Sequence, residues 1–170
     1  ETDYDVWMGD YMDEPVEMGD MLDPQWIRFV NVNLIKIVSS ISVVDPAHGD
    51  SPAACNKGMA TVGICQDSKI HVLDMYLRKE GYLEFFDYAL EVRRSLAHHK
   101  VLLFENDFAQ WNFADPYYQQ WLQRVKKPLP IVPFHSSHNR TEHRAADKES
   151  RMMNLVHPHQ TGKLDYNEQI

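Results

Sequence analysis

Two carboxylate residues each stand at the end of an apolar run. Asp45 ends Ile41-Ser-Val-Val-Asp45 and is followed by proline, and Glu105 ends Val101-Leu-Leu-Phe-Glu105. If the two runs are neighbouring strands of one sheet, Asp45 and Glu105 lie together at its edge, where their oxygens suit a divalent cation. A strand that ends in Asp-Pro is also a common turn signal. The sequence therefore predicts a catalytic metal site at Asp45 and Glu105, with a simple turn as the alternative.

The elements around these two residues are predicted from hydrophobic periodicity and capping residues. Runs of β-branched and apolar residues predict strands at 34–44, 58–65, 69–77, 100–105, 130–134 and 163–166. Helical spacing and Asp-Pro starts predict helices at 81–98, 115–125 and 145–155, with a capped turn at Asp23. In the first of these helices Phe85, Ala89 and Val92 share one apolar face, which we expect to cover the sheet.

Three antiparallel strands, a covering helix and then a parallel strand are the order of a ribonuclease-H-like fold. The predicted helix between the third and fourth strands is long enough to return the chain parallel to the strand before it. The predicted fold class is α/β, a ribonuclease-H-like mixed sheet flanked by helices. In that fold the first and fourth strands are neighbours, which would bring Asp45 and Glu105 together.

Length and composition place the chain among ordinary globular proteins. It has 170 residues, of which 44% are hydrophobic and 11% aromatic, enough for one domain with a core. No apolar run approaches the roughly 18 residues of a membrane span, and no signal pattern is present, so we expect a soluble intracellular protein with no membrane partner. Cys55 and Cys65 are too few for a metal knuckle and are expected to be reduced thiols without a role.

The net charge of -8 is unevenly distributed along the chain. Residues 1–25 hold nine acidic and no basic residues, whereas residues 26–170 hold 17 basic and 16 acidic ones. Basic residues are concentrated between Arg124 and Arg151, and Lys148 and Arg151 lie three positions apart on a predicted helix. We expect Lys148 and Arg151 to bind nucleic acid through its phosphates, with an ordinary solvated helix face as the alternative.

Several short motifs together resemble the nuclease domain of bacteriophage terminase large subunits, the DNA-packaging motors. These motifs are Tyr11-Met-Asp-Glu-Pro15, Gly19, Pro24-Gln-Trp-Ile27, Asp45-Pro-Ala47 with the glycine-containing loop after it, Ile70-His-Val-Leu-Asp-Met75, Phe104-Glu105-Asn106, and Lys148-Glu149-Ser-Arg151 before Leu155 and Pro158. The resemblance extends from about residue 7 to the C-terminus. It rests on the order and spacing of the motifs.

This resemblance implies a domain organisation and a set of metal ligands. Residues 1–32 would be an acidic arm from the ATPase half, and residues 33–170 a nuclease domain truncated before its last helix. Asp45 and Glu105 correspond to the first two metal-binding acids. Many members carry another acid near the position of Asn56-Lys57, where this sequence has none and Asp50 is the nearest carboxylate. The last catalytic Asp of the family is expected after Ile170, and no Gly-x-x-x-x-Gly-Lys-Ser/Thr motif of an ATPase occurs.

The implied activity is metal-dependent endonucleolytic cleavage of concatemeric viral double-stranded DNA during genome packaging. The expected cofactors are Mg²⁺ or Mn²⁺, with two ions in the complete site. The expected partners are DNA, the ATPase domain of the same protein, the small terminase subunit and the portal. The expected location is the host cytoplasm, transiently at the procapsid portal. The alternatives are a resolvase-like or transposase-like nuclease of the same fold, and a catalytically incomplete docking module of a packaging motor.

Three further groups of residues are given structural interpretations. The histidines suggest zinc but lack accompanying cysteines, so surface positions are expected for His135, His138, His143, His157 and His159. Asp74 lies inside the third predicted strand and is expected to face solvent. The aromatic residues Trp111, Tyr117, Tyr118 and Trp121 are expected in the core rather than in stacking on bases.

Overall fold

The chain forms a seven-stranded mixed sheet with helices packed against it. A computed structural model describes residues 23–46, 56–96, 98–106, 110–135 and 154–170. The strands are β1 Phe29–Val30, β2 Ile37–Asp45, β3 Lys57–Cys65, β4 Ile70–Arg78, β5 His99–Glu105, β6 Ile131–Phe134 and β7 Leu164–Asn167. The helices are α1 Tyr82–Ser95, α2 Gln110–Val125 and α3, whose described part is residues 154–160. Short 3-10 turns occupy Pro24–Trp26 and Val32–Leu34.

The strand order confirms the predicted fold class. Across the sheet the strands run β1-β7-β4-β3-β2-β5-β6. Strands β2, β3 and β4 are antiparallel neighbours, and β5 lies parallel to β2 after the crossover through α1. Strand β6 extends the sheet parallel to β5, and β7 lies parallel to β4 on the other side. The centre of the sheet therefore has the ribonuclease-H-like arrangement, with the first and fourth strands of the motif side by side.

Helices α1 and α2 pack on one face of the sheet, which we call the covered face. The apolar stripe predicted for α1 is buried there, with Phe85 and Ala89 each 1% exposed. Trp121 of α2 is fully buried against Phe86, with 5.9 Å between ring centroids. The predicted core positions of Trp111, Tyr117, Tyr118 and Trp121 are confirmed, since all four belong to this core or pack against it.

The opposite face, which we call the open face, carries exposed apolar side chains. Its exposed members include Val43, Ile64, Met75 and Leu77, with Leu77 70% exposed. The same face carries Gly58 and Ala60 of β3, because alternate residues of a strand point to alternate sides. In the part of the chain that the structure describes, the aromatic core formed with α1 and α2 lies on the covered face.

The largest difference from the predicted elements concerns the start of α2. The helix begins at Gln110, so that Asp115 and Pro116 lie inside it instead of at its cap. The first turn is held by packing, because Trp111 contacts Phe104 with ring centroids 5.0 Å apart. The Asn106 side chain also accepts a hydrogen bond from the Trp111 N–H at 2.9 Å. These tertiary contacts outweigh the tendency of proline to start a helix.

The start of β2 and the end of α3 also differ from the predictions. The Asn31 side chain caps the 3-10 turn Val32–Leu34, which delays β2 to Ile37. The described part of α3 continues to residue 160, five residues beyond the predicted end. The capped turn at Asp23 is confirmed, because the Asp23 side chain accepts a hydrogen bond from the Gln25 N–H at 2.8 Å.

The predicted acidic arm at residues 1–32 lies largely outside the described residues, which begin at Asp23. Within that range, β1 pairs with β7 in parallel, with Phe29 opposite Tyr166. Residues 29 and 30 are thus part of the sheet. The division of the chain at residue 32 stays a prediction.

Gly162 occupies a position that no other residue fits well. Its φ of 68° lies in the left-handed region, and an added Cβ would collide with the guanidinium of Arg28. That guanidinium lies 2.8 Å from the buried carboxylate of Asp165, at Nη2 and Oδ1. A side chain at 162 would therefore strain the backbone and disturb a buried ion pair.

We expect Gly162→Ala to lower the free energy of unfolding by about 1–3 kcal/mol. The measurement is urea denaturation followed by circular dichroism. Gly58→Ala is the matched control, because an added Cβ there meets only ordinary contacts, 3.9 Å from the nearest side chains. Equal stabilities of the two variants would contradict this interpretation.

Candidate metal centre

Asp45 and Glu105 are the last residues of two neighbouring parallel strands. Strands β2 and β5 pair with Val43 opposite Leu103 and Val44 opposite Phe104. Asp45 and Glu105 each follow the last of these pairs directly. The structure thus brings the two predicted residues to adjacent positions at one edge of the sheet, where neighbouring strands are about 4.8 Å apart.

The side chains of both acids belong to the open face. Val44 and Phe104, the residues just before them, are fully buried on the covered face. Because successive side chains of a strand alternate in direction, Asp45 and Glu105 project from the other side. Asp45 is exposed and Glu105 is half-buried. A cation or a phosphate group in solution can therefore reach this pair.

Gly58 lies opposite Asp45 on the antiparallel neighbour β3. A Cβ at this position would be 3.9 Å from the Cβ of Asp45 and 3.9 Å from the Leu77 side chain. Gly58 contributes no side chain to the space beside Asp45 on the β3 side.

Lys57, near which the resemblance to terminases implies a further acid in many members, points away from the candidate centre. Its side chain is 2% exposed and faces the covered side of the sheet. The ammonium donates a hydrogen bond to the Glu80 carbonyl at 2.7 Å and lies 4.4 Å from the centre of the Tyr82 ring. Lys57 therefore anchors the start of α1 instead of adding positive charge beside Asp45 and Glu105.

The donor set of the candidate centre fits a hard divalent cation. Carboxylate oxygens are the ligands that Mg²⁺ prefers, and Mg²⁺ sites in proteins often use one or two carboxylates together with several waters. Asp45 and Glu105 supply that number of carboxylates from rigid strand ends. The pair can hold a cation next to a phosphodiester, which is the arrangement that metal-assisted hydrolysis requires.

The other predicted site residues are not brought to this centre by the described structure. Lys148, Arg151 and Asp50 lie outside the described residues, as do His138 and His143. His135 and His157 are exposed, as predicted. His159 is a correction, because it is 2% exposed. Its ring is 2.6 Å from the Leu155 carbonyl and 2.9 Å from the Tyr166 hydroxyl, which makes it a structural residue.

The prediction that Asp74 faces solvent is wrong. Asp74 pairs with the buried Thr61 and shares the covered face with Tyr76, two residues away. Its carboxylate accepts a hydrogen bond from the Tyr88 hydroxyl of α1, 2.8 Å from each oxygen. Burial, followed by this contact, raises the pKa of Tyr88 to about 12. Asp74 therefore ties α1 to the sheet.

Sequence reasoning missed a second group of metal-ligating side chains, at the other end of the sheet. Cys65, Asp67 and His71 lie around the turn between β3 and β4, and one ligand atom of each lies within 4.8 Å of the others. The signal was a Cys-x-Asp-x-x-x-His spacing across a predicted hairpin turn, which places the three residues on one side of the turn. The cysteine had been interpreted as a thiol without a role.

Comparison with solved structures finds similarity to the human cytomegalovirus terminase nuclease domain. The TM-score is 0.52 at 11% sequence identity, and the match covers 86% of this chain and 75% of that chain. No protein-family profile matches the chain, and no curated protein sequence matches it. At this identity the similarity shows the fold alone. The chain has a terminase nuclease-like α/β fold. This similarity does not favour the bacteriophage terminases over the terminase of another virus.

The helices in the described part of the chain were also compared with the requirements of a membrane span. None of them has the length and apolar character that crossing a bilayer requires.

Proposed function

We propose that this chain is the nuclease domain of a DNA-packaging terminase and that it hydrolyses phosphodiester bonds of viral double-stranded DNA with the help of divalent metal ions. One observation carries the proposal. The residues Asp45 and Glu105 end the two adjacent central strands of a terminase nuclease-like fold and project from the same, open face. Paired carboxylates at that place are suited to metal-assisted phosphoryl transfer.

Asp45 and Glu105 would hold Mg²⁺ or Mn²⁺, with two ions in the complete site. The ions supply Lewis-acid stabilisation of the phosphodiester and a water that is easily deprotonated. Both residues must be ionised for this task, and their exposed and half-exposed positions keep them in contact with solvent. Their location at the ends of paired strands fixes the separation of the two backbone positions, which helps to place the cation.

The DNA would be bound through its phosphates. Contacts to phosphates do not depend on the base sequence, so cleavage would show little sequence preference. Lys148 and Arg151 are the proposed phosphate ligands. They fall within the basic stretch 124–151, whereas residues 26–170 as a whole are nearly neutral. Binding through these cations would weaken steeply as the salt concentration rises.

The finer parts of the proposal follow from the resemblance to terminases. Residues 1–32 would connect the nuclease to an ATPase domain of the same protein, and the small terminase subunit and the portal would be its partners. The substrate would be concatemeric DNA, and the protein would act in the host cytoplasm at the procapsid portal. Assignment to a bacteriophage is part of the proposal.

The proposal is tested by incubating supercoiled plasmid with the protein and either metal ion. We expect relaxed and linear products with Mn²⁺ and slower cleavage with Mg²⁺, because two carboxylates leave much of the coordination to water and Mn²⁺ tolerates looser geometry. Chelation with EDTA should stop the reaction. The absence of products with both ions, together with DNA binding that does not change with salt, would contradict a nuclease role.

A second candidate function is supported by the open face. On this face Leu77 and Met75, 70% and 54% exposed, lie toward the Asp45 end of the sheet, and Ile64, 55% exposed, lies toward the other end. Exposed apolar side chains at this density are typical of surfaces that contact another protein. A docking module of a packaging motor would use this face for a partner and would show no metal-dependent cleavage. A resolvase-like nuclease would instead prefer branched DNA over linear duplex.

A further inference from the structure

We propose that Cys65, Asp67 and His71 form a zinc-binding site in the turn between β3 and β4. This site is separate from the candidate centre at Asp45 and Glu105. Cys65 and Gly58 lie at opposite ends of β3, and Gly58 is the residue that pairs with Asp45. At about 3.3 Å per residue, the two sites are roughly 23 Å apart along the strand.

The three ligand atoms already have a spacing close to that of a tetrahedral zinc site. The His71 Nε2 and the Asp67 Oδ2 are 3.1 Å apart, and the ligand atoms of the three residues all lie within 4.8 Å of one another. Zinc bonds of about 2.0–2.3 Å with tetrahedral angles place neighbouring ligands roughly 3.3–3.6 Å apart. Small side-chain rotations would therefore suffice to bind the ion.

The ligand types also select zinc over the cations of the other site. A thiolate, an imidazole and a carboxylate form a mixed sulfur, nitrogen and oxygen set, which suits Zn²⁺ and does not suit Mg²⁺. The ionised Cys65 and Asp67 would together balance the charge of one Zn²⁺. With three protein ligands in the described part of the chain, water would complete the coordination.

His71 is placed as a preorganised ligand. Its ring is fully buried, and its hydrogen-bonding contacts among the described residues are to the two oxygens of Asp67. Its Nδ1 has no hydrogen-bond partner in the part of the chain that the structure describes. With the ring proton on Nδ1, the Nε2 lone pair would be available to a cation that also binds Asp67.

The charges around the cluster leave Asp67 available to a cation. The nearby cations Arg28 and Lys69 both contact Asp165, at 2.8 Å and 3.1 Å. The Lys69 backbone N–H donates to Asp67 Oδ1 at 3.0 Å, which is the main cause of a lowered pKa of the Asp67 carboxyl. The Asp67 side chain is 38% exposed, so it forms the entrance through which an ion would reach the buried Cys65 and His71.

The test titrates the reduced, metal-free chain with Co²⁺ and then with Zn²⁺. We expect a thiolate-to-cobalt charge-transfer band, tetrahedral d–d bands, saturation at one equivalent, and displacement of cobalt by zinc. Cys65→Ser should lose the charge-transfer band, and His71→Gln and Asp67→Asn should bind at least about a hundredfold more weakly. Zinc should also raise the thermal midpoint of the unmodified chain and not that of the variants.

Two control variants separate this site from other metal binding. His157→Gln removes an exposed histidine elsewhere and should leave the cobalt spectrum unchanged. Asp45→Asn should also leave it unchanged, so failure of the proposed nuclease centre and failure of the zinc site are distinguishable. Asp67→Asn alters a partly exposed side chain and is expected to fold even if the buried substitutions do not. An unmodified chain without the charge-transfer band, or an Asp67→Asn variant with unchanged affinity, would overturn the proposal.

Discussion

Asp45→Asn is expected to weaken Mn²⁺ binding at the candidate centre by on the order of a thousandfold and to reduce DNA cleavage to the background. The substitution keeps the shape of the side chain and removes its charge. Two unit charges about 4 Å apart in a medium with an effective dielectric constant of about 20 attract by about 4 kcal/mol, which corresponds to that factor. Glu105→Gln should have a similar effect, because the two residues occupy equivalent positions at the ends of β2 and β5. Isothermal titration calorimetry measures the affinity.

Glu91→Gln is the matched control for these two substitutions. Glu91 is a strongly exposed carboxylate on α1, on the covered side of the sheet, and it lies 2.7 Å from Arg94. Its neutralisation changes the net charge of the protein by the same amount, so it corrects for long-range electrostatics. Mn²⁺ affinity that is equal in Asp45→Asn, Glu91→Gln and the unmodified chain would contradict a role for Asp45.

Trp121→Ala is expected to have the largest effect on stability, lowering the free energy of unfolding by about 3–5 kcal/mol. The Trp121 ring is fully buried and stacks on Tyr118 with ring centroids 5.8 Å apart. Its indole N–H also donates a hydrogen bond to Asp87 at 2.8 Å, linking α2 to α1. Truncation leaves a cavity between the two helices and removes this link. Chemical denaturation followed by circular dichroism provides the measurement.

The neighbouring substitution Gln120→Ala controls for changes in helix propensity. Gln120 is an exposed residue of the same helix, so its replacement should change the free energy of unfolding by no more than about 0.5 kcal/mol. A small effect for both variants would mean that α2 contributes little to the core, which would contradict the packing described above.

The central elements of the fold were predictable because their sequence signals are local. Residues 58–65 and 69–77 alternate and are separated by a short polar turn, and they form β3 and β4 almost as predicted. The apolar stripe of α1 has helical spacing, so the helix and its buried face were both predictable. Together these elements require the crossover that places β5 beside β2.

The misjudged features depend on contacts that are distant in sequence. Asp74 was assigned to solvent, but it shares the covered face with Tyr76 and its partner is Tyr88 of α1, 14 residues away in sequence. The start of α2 depends on the packing of Trp111 against Phe104, which no local pattern reveals. β1 has only the two residues Phe29 and Val30, and it forms by pairing with β7 near the other end of the chain.

The positions of Asp45 and Glu105 in the sheet were predictable because the strands that carry them have local sequence signals. Each acid follows an apolar strand, and adjacency of the strands then places Asp45 beside Glu105. The group Cys65, Asp67 and His71 was missed because its residues were considered one at a time. Only the geometry of the turn shows that a thiol, a carboxylate and an imidazole meet there.

The central claim is that Asp45 and Glu105 share a divalent cation, and the most direct test is anomalous diffraction from crystals soaked in Mn²⁺. We expect an anomalous peak within about 2.0–2.3 Å of an oxygen of each carboxylate, at the ends of β2 and β5. The peak should disappear in crystals of Asp45→Asn. A fully soaked crystal with no peak between these two carboxylates, or a peak that persists in Asp45→Asn, would contradict the account.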